Sequence, residues 1–245
     1  MLKAPELMDP GFRAMLGSEL RSGEPPLRYA DLATEVGSLW LAFGPQRLVL
    51  VSGHDEAGFV LRARARFGRL LVREHAPPRR LADVVLGALE GRRPADRAVD
   101  LAGLTPFQRE VLAATAGIRR GEVRPYGWVA ATIGRPAAVR AVGSALAANP
   151  VPFVIPCHRV VRADGELGEY SGGASGLKAT LLAREGVDFA ALRRGFRGNR
   201  NTRIFCFPTC YTHQRAKESS AVYFRSAEEA VAAGYRPCRQ CRPTG

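Results

Sequence analysis

The chain has 245 residues, of which 36 are Lys or Arg and 23 are Asp or Glu, giving a formal net charge of +13. That length allows one large domain or two to three small ones with a buried core. Lys3, Lys178 and Lys217 are the only lysines, so arginine supplies the surplus and suits a polyanionic partner through its rigid fork; a solvated arginine-rich surface is the plainer alternative. No stretch approaches the roughly 20 apolar residues that cross a membrane, and Met1–Glu6 opens no secretory signal; the expectation is a soluble protein of the reducing cytoplasm.

Residues 1–100 read as a small mixed α/β unit. Ser38–Phe43 and Arg47–Ser52 are short apolar runs separated by Gly44-Pro45-Gln46, which predicts a hairpin. Glu56–Leu71 and Leu81–Leu89 carry helical periodicity. His54 and His75 stand beside charged or proline-rich turns and read as surface residues.

A second unit, residues 101–190, opens at Thr105-Pro106-Phe107-Gln108, a capping-box start for a helix running to about Ile118. A turn over Gly121–Tyr126 precedes a short helix from Gly127 to Ile133. A third helix is expected from Pro136 to Asn149, with Pro150 as its stop. The last two form a helix-turn-helix pattern. In the third helix Val139, Val142 and Leu146 share one face while Arg140 and Ser144 point away. Small residues around a lone arginine fit a helix laid against nucleic acid, and equally an alanine-rich packing helix.

Residues 191–200 have the glycine and arginine content of a linker, leaving a third unit at 201–245, too small to hold a core unaided. Five cysteines, an odd number, argue against a disulfide framework in a reducing compartment. They divide into Cys157 alone and the pairs Cys206/Cys210 and Cys238/Cys241. Two close pairs in a small basic segment predict one tetrahedral zinc held by four thiolates; His213 is an alternative ligand, but four sulfurs complete the shell. Cys157 lies in Val154-Ile155-Pro156-Cys157-His158-Arg159-Val160-Val161, where an adjacent histidine and arginine can supply the base and positive field that make a thiol nucleophilic. A buried structural cysteine is the alternative there.

Pro156-Cys157-His158-Arg159-Val160, preceded by Asn149-Pro150-Val151-Pro152 and followed by Gly168-Glu169-Tyr170-Ser171-Gly172-Gly173, resembles the active site of the O6-alkylguanine-DNA alkyltransferases. The resemblance covers about residues 100–187, and more loosely residues 30–100. It implies a ribonuclease-H-like α/β N-terminal domain and a mainly α, winged helix-turn-helix-like catalytic domain. It implies irreversible, stoichiometric transfer of an alkyl group to Cys157 from O6-alkylguanine, and from O4-alkylthymine as an extension, in double-stranded DNA, by a monomer. His158 would deprotonate Cys157 through a water and Glu185 would hold the imidazole. Asn149 would order the turn, Tyr126 would rotate the target phosphate, and Arg140, with Ser144 beside it, would fill the gap left by the flipped base. Tyr170, Ser171 and Gly172 would line the guanine pocket, in a loop slightly longer than the family's. An alkylated guanine oxygen lies inside the base stack, so flipping is required, and the thioether formed leaves no thiol to regenerate. Tyr126 is also a candidate proton donor to the departing guanine.

Ile204-Phe205-Cys206, Pro208-Thr209-Cys210 and Gly234-Tyr235-Arg236-Pro237-Cys238 resemble the zinc domain of the bacterial adaptive-response alkyltransferases. The small domain is thereby implied to be zinc-binding α+β, to contact DNA, and to use Cys206 as a possible second acceptor, from phosphotriesters. Here Phe207 stands where that family carries arginine, the zinc unit follows the alkyltransferase unit, and no separate activator domain lies between them. Three functions compete: a suicide base-repair enzyme, a methylation-responsive DNA-binding regulator, and a non-catalytic lesion binder, against which Cys157 itself speaks.

Overall fold

The computed structural model describes residues 25–92, 98–163, 165–173, 176–210 and 216–244; the start of the N-terminal unit and His213 lie outside them. The N-terminal unit is a four-stranded sheet in the order β3-β2-β1-β4, formed by β1 (Leu27–Thr34), β2 (Gly37–Phe43), β3 (Leu48–Ser52) and β4 (Leu71–Arg73). Strands β1, β2 and β3 pair antiparallel and β4 joins β1 in parallel. The expected hairpin is β2–β3. The tight β1–β2 turn needs Gly37 at φ 104°, a conformation costly for any residue with a Cβ.

Helix α1 (Glu56–Phe67) is shorter than the sequence suggests. Gly68 caps it in the left-handed conformation at φ 58°, and Leu71 then enters β4. Leu27, Ala42, Val49 and Leu50 pack with Phe59 and Ala63 of α1 on one face of the sheet. On the other face Leu41, Phe43, Leu48 and Val51 join Leu81 and Val85 of α2 (Arg79–Leu89) and the helices of the second unit in one core. Strand β3 is therefore buried along its whole length, which its unbroken apolar sequence reflects.

The second unit begins where the capping box predicts. Thr105 Oγ1 accepts from the Gln108 amide and Gln108 Oε1 accepts from the Thr105 amide, opening α3 (Pro106–Ala116). Strand β5 (Arg124–Pro125) leads directly into α4 (Tyr126–Thr132), and α5 (Val139–Ala147) follows. Helix α5 starts three residues later than expected from Pro136, and Val139 is exposed, not part of the buried face. Val142, Ala145 and Leu146 make that face instead. After the Cys157 turn, β6 (Val160–Val161) pairs in parallel with β5, and α6 (Leu177–Arg184) and α7 (Phe189–Arg193) close the unit.

The expected linker is a correction: Phe196–Asn199 forms β7, an inner strand of the zinc module's sheet. The order is β10-β8-β7-β9, with β8 (Ile204–Cys206), β9 (Ala221–Phe224), β10 (Arg236–Pro237) and α8 (Ala227–Ala232). A Cβ on Gly198 would lie 2.7 Å from the Phe224 ring and 2.8 Å from the Tyr235 ring. The glycine that contributed to the linker reading is thus a packing requirement. Among the described residues no helix is long and apolar enough to cross a membrane. Thr105→Ala removes half of the capping box and is expected to lower stability by about 1 kcal/mol, read as an earlier midpoint in urea unfolding with unchanged slope.

Candidate active site and metal centre

Residues 149–161 are buried throughout, and one amide side chain ties their ends. Asn149 Nδ2 donates to the Ile155 carbonyl at 3.0 Å and lies 3.3 Å from Cys157 Sγ, while Asn149 Oδ1 accepts from the Val151 amide at 3.1 Å. Within this turn Phe153 sits at φ 73°, a strained conformation for a bulky residue. It is over-determined by burial and by an edge-on contact with the Tyr170 ring, centroids 6.3 Å apart. Cys157–Arg159 then form a single 3-10 turn, so the adjacent thiol and imidazole both reach the interior.

Glu185, the last-turn cap of α6, anchors the far side of that turn. His158 Nε2 lies 2.9 Å from its Oε1, Arg159 donates from Nε to both oxygens at 3.1 and 3.0 Å, and the Gly121 amide donates to Oε2 at 3.2 Å. Burial is the largest single influence on Glu185 and raises it, yet the hydrogen bonds and charges of His158 and Arg159 outweigh it and hold the carboxyl at about 2. An ionised carboxylate can only accept, so Nε2 carries the hydrogen and Nδ1 keeps its lone pair. Nδ1 is buried without a partner among the described residues. Burial also pushes the imidazole down, against the pull of Glu185.

Around Cys157, burial pushes the thiol up, while the Asn149 hydrogen bond, the Lys178 charge and the Cys157 and His158 amides pull it down. Lys178 is a residue the sequence reading missed. It is buried in α6, donates to the Val160 carbonyl at 2.6 Å, and is itself pushed down to about 8 by burial, with Cys157 opposing. No short motif marks it; only the fold brings it to the sulfur. Tyr170 stands edge-on to His158 at 6.4 Å, and burial followed by the Cys157 charge pushes its phenol well up.

The loop carrying Tyr170, Ser171 and Gly172 is held by the N-terminal unit. Gly53 donates to the Gly172 carbonyl at 2.8 Å, His54 Nε2 lies 3.3 Å from the Ser171 carbonyl, and Val51 donates to the Pro150 carbonyl at 2.8 Å. His54, read as a surface residue, therefore touches the site. A Cβ on Gly172 would fall 2.6 Å from the Tyr170 ring, so glycine is required there. Tyr126 is half-buried, with a Cβ on Gly143 of α5 lying 3.9 Å from its ring and the Lys178 ammonium 5.9 Å from its ring centre. Burial, then the Cys157 and Glu169 charges, raises its phenol. Arg140 and Ser144 lie on the exposed face of α5, the serine hydroxyl 3.4 Å from the Arg140 carbonyl; they stand apart from the thiol cluster. A cavity of about 820 Å³ lined by Arg109, Leu112, Ile118 and Arg159 does not include Cys157, so the chemistry, not that void, marks the site.

The four remaining cysteines converge in the third unit. Parallel pairing of Ile204 with Arg236 and Phe205 with Pro237 places Cys206 and Cys238 at the same sheet end, and a turn closed from the Cys210 amide to the Phe207 carbonyl at 3.0 Å returns Cys210 to them. All four are buried, with sulfurs within 4.8 Å of one another. A tetrahedral four-thiolate zinc sets its sulfurs about 3.8 Å apart, and a cluster this tight can close on one ion. Contact with Cys210 and Cys241 drives the Cys206 thiol far upward in the absence of a cation; zinc is what lets the sulfurs ionise together. The four cysteines are the site of one zinc ion.

A buried thiol beside an oriented histidine and a fixed carboxylate is joined in this chain to a four-cysteine metal module. Residues 106–187 match the family model described as 6-O-methylguanine DNA methyltransferase, DNA binding domain, and residues 183–244 match the metal binding domain of Ada. The crystal structure of Mycobacterium tuberculosis OGT in complex with DNA superposes at a TM-score of 0.53 with 32% identity, covering 64% of this chain and 92% of that one. The O6-methylguanine-DNA methyltransferase of Pyrococcus kodakaraensis gives 0.51 with 28% identity, covering 65% and 99%. The Escherichia coli bifunctional transcriptional activator/DNA repair enzyme Ada is 35% identical over 181 residues, 70% of this chain and 49% of that protein. A mouse methylated-DNA–protein-cysteine methyltransferase is 54% identical over 70 residues, 33% of its length. The chain thus spans half or less of the curated relatives it matches. It belongs to the O6-methylguanine-DNA methyltransferase family, and like those structures it combines mixed sheets with helices.

Glu185→Gln leaves Arg159 buried and uncompensated, at an expected cost of about 3–5 kcal/mol near neutrality. Because the folded carboxyl sits below its unfolded value, its contribution is complete above about pH 4.5 and fades as pH falls toward 2. Urea unfolding of both proteins across that range is expected to show the gap closing; a gap unchanged near pH 2 would contradict the assignment.

Proposed function

We propose that this protein repairs O6-alkylguanine in double-stranded DNA by moving the alkyl group irreversibly to Cys157, with O4-alkylthymine as a secondary substrate. The observation that carries this is the Cys157 sulfur, buried beside Asn149 and Lys178 and backed by the His158–Glu185 pair. The Nδ1 lone pair of His158 takes the thiol proton through a water. The thiolate attacks the alkyl carbon, the S–C bond forms as the C–O6 bond breaks, and the electron pair left on guanine takes a proton from the Tyr126 hydroxyl or solvent. Lys178 stabilises the thiolate before transfer and has no anion to stabilise afterwards, which favours the thioether.

In this reading Arg140 fills the space vacated by the flipped base, Ser144 lies along the backbone beside it, Tyr126 turns the target phosphate, and Tyr170, Ser171 and Gly172 hold the guanine. The exposure of Arg140 and Ser144 on α5, with Tyr126 against Gly143 of the same helix, supports a shared DNA face. The α4–α5 pair with β5–β6 supports the winged helix-turn-helix description, and the β3-β2-β1-β4 sheet with its covering helix α1 the ribonuclease-H-like one. The proposed boundaries are 1–100, 101–190 and a zinc module from about 195. We place its action in the cytoplasm, as a monomer.

Acceptance of a methyl group from phosphotriesters by Cys206, and the regulator that would depend on it, needs a reachable sulfur. Cys206 is 0% exposed and packs with Phe207 and Trp128. We therefore propose Cys206 as a permanent zinc ligand while the module is docked.

Offered duplex DNA with labelled O6-methylguanine, the protein is expected to gain one methyl group at Cys157 by peptide mass spectrometry, and Cys157→Ala to gain none while still binding DNA. Labelled methylphosphotriester is expected to leave Cys206 unlabelled. Recovery of an unmodified Cys157 under excess lesion overturns the proposal. Arg140→Ala is expected to slow transfer from duplex DNA by about tenfold or more, in keeping with a flipping cost of a few kcal/mol, and to leave reaction with free O6-benzylguanine close to wild type. Equal losses on both substrates would remove Arg140 from that role.

A further inference from the structure

The zinc module touches the catalytic unit with residues drawn from its metal-binding loops. Thr209, between Cys206 and Cys210, is buried; its Oγ1 accepts from the Val123 amide at 3.0 Å and lies 3.3 Å from the Val123 carbonyl, to which it can donate. Trp128 of α4 donates from Nε1 to the carbonyl of the ligand Cys241 at 2.9 Å. Arg124, buried and paired with Glu122 at 2.7 Å, places its guanidinium 5.4 Å from the Phe207 ring and 5.6 Å from the Trp128 ring. Phe207 directly follows Cys206. These contacts bracket Tyr126 in the chain, at Val123 and Arg124 before it and Trp128 after it.

Helix α4 has seven residues and no side-chain N-cap, too short and too weakly capped to hold itself in place. Its position is set by what it packs against. One side is α5, where Tyr126 lies over Gly143; another is the cysteine cluster, against which Trp128 packs. A unit of about 45 residues depends on its metal for folding energy. Without zinc, the Thr209 hydroxyl and the Cys241 carbonyl lose the loops that hold them.

We propose that the zinc module is an internal brace for the Tyr126 segment. Zinc binding fixes β5 and α4 through Thr209 and Trp128, which act as positioning residues for alkyl transfer from duplex DNA. This rests on Cys157 as the acceptor.

Trp40 and Trp128 are the two tryptophans, so Trp40→Phe leaves Trp128 as the sole reporter. The full-length protein is loaded with zinc, stripped with a chelator and reloaded, following Trp128 emission and single-turnover transfer to Cys157. Stripping is expected to shift the emission to the red and to slow transfer from duplex O6-methylguanine by about tenfold, equivalent to about 1.4 kcal/mol of barrier. Free O6-benzylguanine, which has no phosphate to turn, is expected to lose less, and reloading to restore both signals. A Trp128→Phe/Thr209→Val double variant is expected to reproduce the loss on duplex DNA while still binding one equivalent of cobalt with thiolate absorption. Unchanged emission and rate after verified metal removal, or a metal-loaded double variant at wild-type rate, overturns the brace. If the zinc-loaded parent transfers nothing to Cys157, the base-repair proposal falls, and the emission shift alone still reports whether metal and α4 are coupled.

Discussion

The catalytic unit is organised around one ionised carboxylate. Glu185 closes α6, and its two oxygens collect the His158 ring, the Arg159 guanidinium and the Gly121 amide. Arg159 in turn donates to the Ile118 carbonyl at 2.7 Å, so the end of α3, the approach to β5, the nucleophile turn and α6 all meet at a single charge. Burying a carboxylate is costly unless its lone pairs are filled, and here charged donors and a backbone amide fill them. The same arrangement fixes the histidine tautomer. The anchoring of the turn and the orientation of the imidazole thus rest on one side chain, and neither can be altered without the other.

The thiol is tuned by opposed forces. Burial favours the neutral thiol, whereas the Asn149 amide and the Lys178 ammonium favour the anion. Burial weakens Lys178 as a cation and the sulfur restores part of it. Each charge is tolerated because the other is present. The strained Phe153 backbone belongs to the same turn and is held by packing against Tyr170, whose ring also faces His158.

Much of this was legible in the residues, for local reasons. The capping box at Thr105, the β2–β3 hairpin and the two cysteine pairs are short-range signals, and each appears as the sequence predicts. The residues collected from a distance were not. Lys178 and His54 reach the site only through tertiary packing, and neither has a local pattern to distinguish it from a surface residue. Strand β1 was missed because its polar residues interrupt the apolar alternation, and β4 because three residues carry no period. The error at Phe196–Asn199 has another cause: its glycine and arginine content read as a linker, but the missing side chain of Gly198 is what lets two aromatic rings close over β7.

The zinc module illustrates how one substitution can redirect a surface. A basic side chain after Cys206 would favour contact with phosphate; Phe207 instead presents an aromatic face, and the cation that meets it is Arg124 of the same chain. Such a contact is favourable mainly when desolvated, and Arg124 is 4% exposed. Placing the module after the alkyltransferase unit puts β7 three residues beyond α7, a tether too short for independent movement of the two units. Short connection, apolar contact and metal-loop hydrogen bonds all act in the same direction. They turn the face of the zinc site inward, so the metal's folding energy is applied to the segment that carries Tyr126.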